Sequence, residues 1–142
     1  MCAVTVWDPI YFKAYLGRDL ILNKEKDIIF RDVINNVSEG YNSTSGRFVA
    51  PRSGTYLFIV SVLPQPGDGA EWKAKFGAEV WIKVNGIKDG YAGSPTFCKS
   101  SGHGITHLKA GQEVWICTGP HKISLHMDVA TYFSGVLLYP SN

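Results

Sequence analysis

Residues 30–60 read FRDVINNVSEGYNSTSGRFVAPRSGTYLFIV, and this stretch decides the fold of the 142-residue chain. Its aromatic residues are spaced too irregularly to form one face of a helix, and its last part alternates as a strand does. Tyr56, Phe58 and Val60 alternate with Leu57 and Ile59, so the stretch is apolar on both faces. This pattern predicts a central strand that is covered on each side.

Strand-like alternation continues along the rest of the chain, and no segment has the periodicity of an amphipathic helix. Asn85 and Gly86 follow the alternating residues 80–84 and predict a hairpin, because both residues tolerate positive φ. The other predicted strands are residues 10–16, 105–108, 114–116 and 131–139. The two that flank residues 109–112 are predicted to pair with each other. With 15 glycines and 7 prolines for turns, we predict an all-β sandwich of two sheets with jelly-roll connections.

Composition limits the class of protein. Hydrophobic residues make up 45% of the chain, aromatic residues 13% and charged residues 18%, which is typical of a globular chain. At this length we expect one domain, residues 1–142. The formal net charge is +2 without a basic run, so nucleic acid is not expected as a partner. No apolar run is long enough for a membrane span and the N-terminus lacks a signal-peptide pattern, so we expect no membrane insertion and no export signal in this chain.

The cysteines and the glycosylation sequons indicate whether the protein is in an oxidising, secreted environment. The three cysteines, Cys2, Cys98 and Cys117, cannot all pair within one chain. Cys98 and Cys117 could form a disulfide or remain buried thiols, and Cys2 could cross-link two chains. Two glycosylation sequons begin at Asn36 and Asn42, but such short motifs indicate secretion only weakly. Asn42 lies in a Ser/Gly-rich turn and is the better acceptor.

The histidines do not form a metal motif. His103 and His107 have the i, i+4 spacing of a zinc pair, but that pair requires a helix. Among Gly and β-forming residues this segment is predicted to be extended, which puts the two side chains roughly 13 Å apart at ~3.3 Å per residue. His121 and His126 are an odd number of residues apart and would face opposite sides of a strand. The sequence also lacks a Gly-x-Ser-x-Gly elbow, and we expect no enzyme.

The sequence resembles the globular heads of the C1q family. Residues 133–139, FSGVLLY, resemble the closing strand of that family, and residues 107–116, HLKAGQEVWI, resemble its late hairpin. Val60 stands where the family has Phe or Tyr. The signature pattern is Phe, then Asn or Asp, two aromatics and Gly-x-aromatic-x-Phe, carried here by Phe30, Asn36, Tyr41, Phe48, Gly54, Tyr56 and Phe58.

The resemblance implies a ten-stranded jelly roll, shared with the tumour-necrosis-factor superfamily, that assembles as a homotrimer. Tyr11, Tyr15, Tyr132 and Tyr139 on the terminal strands agree with this, because they are more aromatic surface than one sandwich needs to bury. The chain has no collagen-like Gly-X-Y stretch and looks like the secreted stand-alone members of invertebrates, molluscs especially. Many of those are recognition proteins that bind microbial surface sugars.

The predicted function is that of a secreted, lectin-like pattern-recognition protein of innate immunity that binds carbohydrate or microbial surface patterns. One alternative is a structural or mineral-associated protein of extracellular fluid that binds calcium or other divalent ions. A second alternative is a cytokine-like ligand for a cell-surface receptor.

Sugar binding uses exposed aromatic faces beside groups that bind hydroxyls or anionic substituents. Three loops offer this mixture, and their candidate ligand-binding residues are Asp68, Glu71, Trp72 and Lys73 in the first, Tyr91 in the second, and His121, Lys122, His126 and Asp128 in the third. Trp72 could equally anchor its loop on the sheet. Calcium is bound by several trimeric heads of the family through loop carboxylates. Asp68 or Glu71 could contribute, but such a site needs about six to eight oxygens, so no ligand set is named.

Overall fold

The computed structural model describes residues 7–67 and 73–141, which form a β-sandwich. Within these ranges no helix is long and apolar enough to cross a membrane. The strands of this part are β1 (Tyr11–Tyr15), β2 (Leu20–Leu22), β3 (Asp27–Ile28), β4 (Asp32–Val37), β5 (Tyr41–Asn42), β6 (Arg47–Val49), β7 (Gly54–Val62), β8 (Lys73–Val84), β9 (Ile87–Thr96), β10 (Ser100–Leu108), β11 (Glu113–Thr118), β12 (Ile123–Leu125) and β13 (Tyr132–Pro140).

Ten of these strands form two layers with jelly-roll connections. The first sheet has the order β10-β7-β13-β1-β4, and the second has the order β5-β6-β11-β8-β9. β3 pairs with β11 at the side of the second sheet, and β12 pairs with β2 apart from both sheets. The predicted all-β jelly roll is confirmed, and β7 is a central strand with neighbours on both sides, as its two apolar faces predicted.

The strands on either side of residues 109–112 do not pair with each other, so this part of the prediction was wrong. β10 pairs with β7 in the first sheet, whereas β11 pairs with β8 and β6 in the second. Leu108 and Val114 are both fully buried, so the turn carries the chain from one sheet to the other across the end of the core. Alternation reports which residues face the core, and it does not report which strand is the neighbour.

An aromatic stack joins the two sheets at the centre of the core. Phe12 of the first sheet stacks on Tyr41 of the second with ring centroids 4.8 Å apart and planes at 4°. The same ring stacks on Phe48 at 5.2 Å and meets Phe133 edge-on at 4.9 Å. Gly135 leaves space for this packing, because a Cβ there would lie 2.7 Å from the Phe12 ring. Offset-stacked and edge-on pairs of this kind stabilise a core beyond the area that they bury.

Hydrogen bonds tie Tyr41 to β4 and to the segment before that strand. Its hydroxyl donates to the Phe30 carbonyl at 2.6 Å and accepts from the Phe30 amide at 3.1 Å. The side chain of Asn36 donates to the Tyr41 carbonyl at 2.7 Å and accepts from its amide at 3.1 Å. Burial raises the pKa of Tyr41 to about 12. Three positions of the signature pattern therefore form one hydrogen-bonded cluster.

Replacing Tyr41 by Phe is expected to destabilise the fold by about 1–3 kcal/mol. The ring would still stack on Phe12, but the buried amide and carbonyl of Phe30 would lose their partner, and an unsatisfied buried group costs this much. Urea unfolding at a fixed protomer concentration measures the change. Tyr91→Phe is the control, since the Tyr91 side chain is exposed and its hydroxyl makes no hydrogen bond within the described residues, and it should change the free energy of unfolding by less than about 0.5 kcal/mol.

The same variant should also respond differently to alkaline pH. The folded-state pKa of Tyr41, about 12, lies above its ordinary value of 10.0, so the fold favours the neutral phenol. That contribution to stability is complete below pH 10.0 and is lost as the pH rises through about 12. The free energy of unfolding should fall more steeply over this window in the wild type than in Tyr41→Phe, and equal slopes would contradict the assignment.

Candidate ligand-binding cleft

A cleft of about 440 Å³ opens at the side of the second sheet, between the β8–β9 hairpin and the segment before β12. We call it the Tyr91 cleft. It brings together three of the predicted site residues, Tyr91, His121 and Lys122, with groups that the sequence did not indicate. The full lining is Gly77, Ala78, Glu79, Tyr91, Gly93, Ser94, His121, Lys122 and Ile123.

A one-residue bulge in β9 turns Tyr91 toward the outer face of the sheet. Near the hairpin tip Lys83 lies opposite Lys88, but the next pair is Ile82 with Gly90. Asp89 is therefore an extra residue on β9, and the register moves by one. Without it, Tyr91 would share the inward face of its strand, because a one-residue shift moves every later side chain to the other face.

The shifted register stacks the polar and aromatic residues of the cleft in cross-strand pairs. Trp81 lies opposite Tyr91, with ring centroids 4.9 Å apart, and Glu79 lies opposite Gly93. The Tyr91 ring lies over Gly93, and a Cβ at that position would displace the Tyr91 hydroxyl from its place. The ammonium of Lys88 lies 5.0 Å from the centre of the Trp81 ring, which is within the range of a cation–π contact.

The charges that line the cleft are available to a ligand. Partial burial, and then the negative charge of Glu79, raise the pKa of Tyr91. Neither Glu79 nor Lys122 forms an ion pair with any side chain that the structure describes. The Lys122 ammonium lies 5.1 Å from the centre of the Phe76 ring. The cleft thus offers an aromatic wall, a carboxylate and an ammonium, a combination that can bind ligand hydroxyls and an anionic substituent.

Glu79 and the indole of Trp81 lie against the same residue, Gly119. Nε1 of Trp81 is buried and makes no hydrogen bond to the described part of the chain. Both groups pack on Gly119, where a Cβ would lie 2.9 Å from Oε1 of Glu79 and 3.3 Å from Nε1 of Trp81. A larger residue at position 119 would therefore push the carboxylate of Glu79 away from the indole.

Two other predicted site residues lie apart from the cleft. His126 and Asp128 follow β12, whereas His121 and Lys122 precede it. Nδ1 of His126 lies 3.2 Å from a carboxylate oxygen of Asp19. One oxygen of Asp128 accepts a hydrogen bond from the backbone two residues later at 3.0 Å, which stabilises the turn before β13. The structure therefore divides the third candidate loop into two separate places.

The first candidate loop is described only in part. Asp68, Glu71 and Trp72 lie outside the described residues, and Lys73 is described only as the backbone at the start of β8. A ligand site in residues 64–76 stays a prediction. Glu79 was missed although the Asn85-Gly86 turn was recognised, because the bulge in β9 decides which residues share a face with Tyr91.

Metal ligands and cysteines give no further site. Within residues 7–67 and 73–141, no group of three or more His, Cys, Asp and Glu side chains could hold a metal ion. His103 and His107 lie in β10, an extended segment as predicted. Cys98 and Cys117 are both free, so the disulfide considered between them does not form. Cys117 is a buried thiol, whereas Cys98 is exposed and hydrogen bonds from nearby hydroxyls lower its pKa. Cys2 lies outside the described residues.

Comparison with known proteins identifies the family. The family model of the C1q domain matches residues 12–138. The chain belongs to the C1q domain family. Mouse complement C1q tumor necrosis factor-related protein 3 is 31% identical over 123 residues, which are 82% of this chain and 46% of the mouse protein. A subcomponent of bovine complement C1q is 26% identical over 126 residues, 84% of this chain and 49% of the bovine protein. The chain spans about half the length of these curated relatives.

Solved structures share the fold of this C1q domain. The globular domain of zebrafish complement 1qA superposes with a TM-score of 0.70 at 15% identity and covers 93% of this chain and 99% of its own. Murine APRIL superposes with a TM-score of 0.65 at 14% identity, covering 92% and 99%. Eiger TNF from S. frugiperda gives 0.63 at 12% identity, covering 95% and 94%. At these identities the likeness establishes the fold alone.

Replacing Glu79 by Gln is expected to lower the pKa of Tyr91. The negative charge of Glu79 disfavours the phenolate, and its removal leaves only partial burial to raise the pKa. A pH titration of ¹³C-labelled tyrosine by NMR measures this, with Tyr91→Phe to assign the signal. Glu113→Gln is the matched control, because Glu113 pairs with Arg47 at 3.1 Å and does not line the cleft. An unchanged Tyr91 titration in Glu79→Gln would show that the two groups do not share a site.

Proposed function

We propose that this C1q domain is a secreted, homotrimeric recognition protein of innate immunity that binds carbohydrate or another microbial surface pattern, as a lectin does, without catalysing a reaction. Residues 1–142 form one such head in this proposal. The observation that carries it is the Tyr91 cleft, where an aromatic ring stands beside a carboxylate and an ammonium that form no ion pair within the described residues.

This combination suits a sugar for a physical reason. The C–H face of a pyranose is apolar and packs on an aromatic ring, while its hydroxyls need charged or polar partners at the rim. The Tyr91 side chain is 47% exposed, so its ring is accessible. The carboxylate of Glu79 can accept hydrogen bonds from two hydroxyls, and Lys122 and His121 can donate to a hydroxyl or an acidic substituent.

The proposed trimer uses the outer face of the first sheet. A row of apolar side chains crosses all five strands of this sheet in register, formed by Ile105, Leu57, Val136, Tyr11 and Val37. Ile105 is 61% exposed and Tyr11 is 40% exposed. A continuous apolar band on a solvent-facing sheet is typical of a surface that another chain covers.

Assembly and ligand binding support each other in this proposal. The apolar row lies on the first sheet and the Tyr91 cleft on the second. A trimer would therefore keep three clefts on its outside. Three weak sites on one particle bind a repetitive surface far more tightly than one site does, provided that the ligands have a matching spacing.

A glycan array tests the ligand proposal, run with and without calcium. The wild-type trimer should bind one glycan class saturably. Tyr91→Ala should weaken binding by at least about tenfold, because loss of an aromatic contact worth ~1.4 kcal/mol corresponds to that factor. Trp7→Ala is the matched control, since Trp7 is an aromatic side chain of similar exposure, 37%, that does not line the cleft.

Three outcomes would contradict the proposal in different ways. No binding to any glycan or bacterial surface at high micromolar concentration would remove the lectin function. Calorimetric binding of calcium or zinc without sugar would favour the structural or mineral-associated alternative. Specific binding to cells that free sugars do not displace would favour a cytokine-like ligand.

Replacing Val136 by Glu is expected to break the trimer. Val136 is the centre of the apolar row, and burying an unpaired charged group there costs at least about 3 kcal/mol. Each ~1.4 kcal/mol is tenfold, so the dissociation constant should rise by at least about a hundredfold. Sedimentation velocity over a range of concentrations measures the oligomeric state.

Ile87→Glu is the control for the trimer variant. Ile87 is 73% exposed at the tip of the β8–β9 hairpin, on the other sheet. It should leave the trimer unchanged. A wild type that sediments as a monomer, or a Val136→Glu variant that remains trimeric, would show that the apolar row is not the interface.

A further inference from the structure

We infer that Asn42 carries an N-linked glycan, and that Asn36, which begins the other sequon, does not. The inference rests on the proposed secretion, because N-linked glycans are added to proteins in the secretory pathway. It depends on what each asparagine side chain already does in the folded chain. The two sequons lie six residues apart in sequence, which makes them a matched pair.

The side chain of Asn42 is free at the atom that would receive the sugar. Asn42 is exposed, and its oxygen Oδ1 accepts hydrogen bonds from the amides of Thr44 at 2.8 Å and Ser45 at 3.3 Å. Its nitrogen Nδ2 has no hydrogen-bond partner in the described part of the chain. The sugar is attached to Nδ2, so the turn that Oδ1 stabilises would survive glycosylation.

The surroundings of Asn42 leave room for a glycan. Residues 42–45 are all exposed, and residues 43–46 form the turn between β5 and β6. Ser43 and Thr44 line an open cleft of about 380 Å³ together with Arg31. The hydroxyl of Thr44, which completes the sequon, is on the same exposed turn.

Both polar atoms of the Asn36 side chain already form hydrogen bonds within the fold. Its Nδ2 donates to the Tyr41 carbonyl at 2.7 Å and its Oδ1 accepts from the Tyr41 amide at 3.1 Å. These bonds hold β4 next to β5 and position the buried ring of Tyr41. A sugar on Nδ2 of Asn36 would have to fit between the two strands, so a chain glycosylated there would not reach this structure.

The position of Asn42 fits the rest of the molecule. β5 and β9 are the opposite ends of the strand order in the second sheet. A glycan on β5 therefore lies at the far edge from the Tyr91 cleft and leaves it open. The glycan would also cover the edge of the sheet at β5. The unpaired backbone groups of an edge strand can otherwise form hydrogen bonds with another chain.

The test is expression of the full chain behind a cleavable signal peptide in insect cells. Export then does not depend on a natural signal. Intact mass before and after treatment with peptide N-glycosidase F counts the glycans, and peptide mapping locates the Asn-to-Asp conversion that the enzyme leaves. Thr44→Ala removes the Asn42 sequon but keeps the Thr44 amide, and Ser38→Ala removes the Asn36 sequon without changing Asn36.

We expect one glycan on the secreted wild type, converted at Asn42, lost in Thr44→Ala and retained in Ser38→Ala. Secreted and folded wild type without a glycan, or with its glycan at Asn36, would overturn the inference. The glycan-array result does not depend on the glycosylation state of the protein. An unglycosylated protein that binds sugars would remove only this inference, and a protein with a glycan at Asn42 that binds no sugar would remove only the lectin proposal.

Discussion

The hydrogen bonds of the buried Tyr41 hydroxyl are the constraint on which the rest of the sandwich depends. A phenol in an apolar core is stable only when its hydroxyl is satisfied, and the backbone of Phe30 supplies both an acceptor and a donor. This fixes the ring against Phe12, and Phe12 in turn joins Phe48 and Phe133 from the two sheets. The sheets are therefore held in a definite relation by a few aromatic contacts, which cores of uniform aliphatic packing specify less sharply.

The fold could be predicted from the sequence because its signature residues are these core contacts. Phe30, Asn36 and Tyr41 form one hydrogen-bonded cluster. Both Tyr41 and Phe48 stack on Phe12. Their spacing in the sequence follows from the contacts that they make in the core. The pairing of β10 and β11 was mispredicted for the opposite reason, since the turn between them has the chemistry of a hairpin while the core requires the chain to cross between sheets. Local turn signals do not contain that long-range requirement.

The candidate site was predicted only in part, and the cause is the single extra residue in β9. Tyr91, His121 and Lys122 were recognised as exposed polar and aromatic residues, but their common cleft depends on the register between Trp81 and Tyr91. Without the extra residue Asp89, the same hairpin would have turned Tyr91 to the inward face. Bulges depend on the neighbouring strands and carry a weak sequence signal, so Glu79 could not be assigned to the site from alternation.

The three proposed functions lie on separate surfaces of the sandwich. The first sheet carries the apolar row, where we propose that a second copy of the chain docks, and the second sheet carries the polar and aromatic cleft at its β9 side. The glycan proposed at Asn42 belongs to the β5 side of that same sheet. The aromatic stack lies between the two sheets, so substitutions confined to one outer surface leave its ring contacts in place. The residues of the cleft can therefore vary in a C1q domain while the residues that specify the fold stay the same.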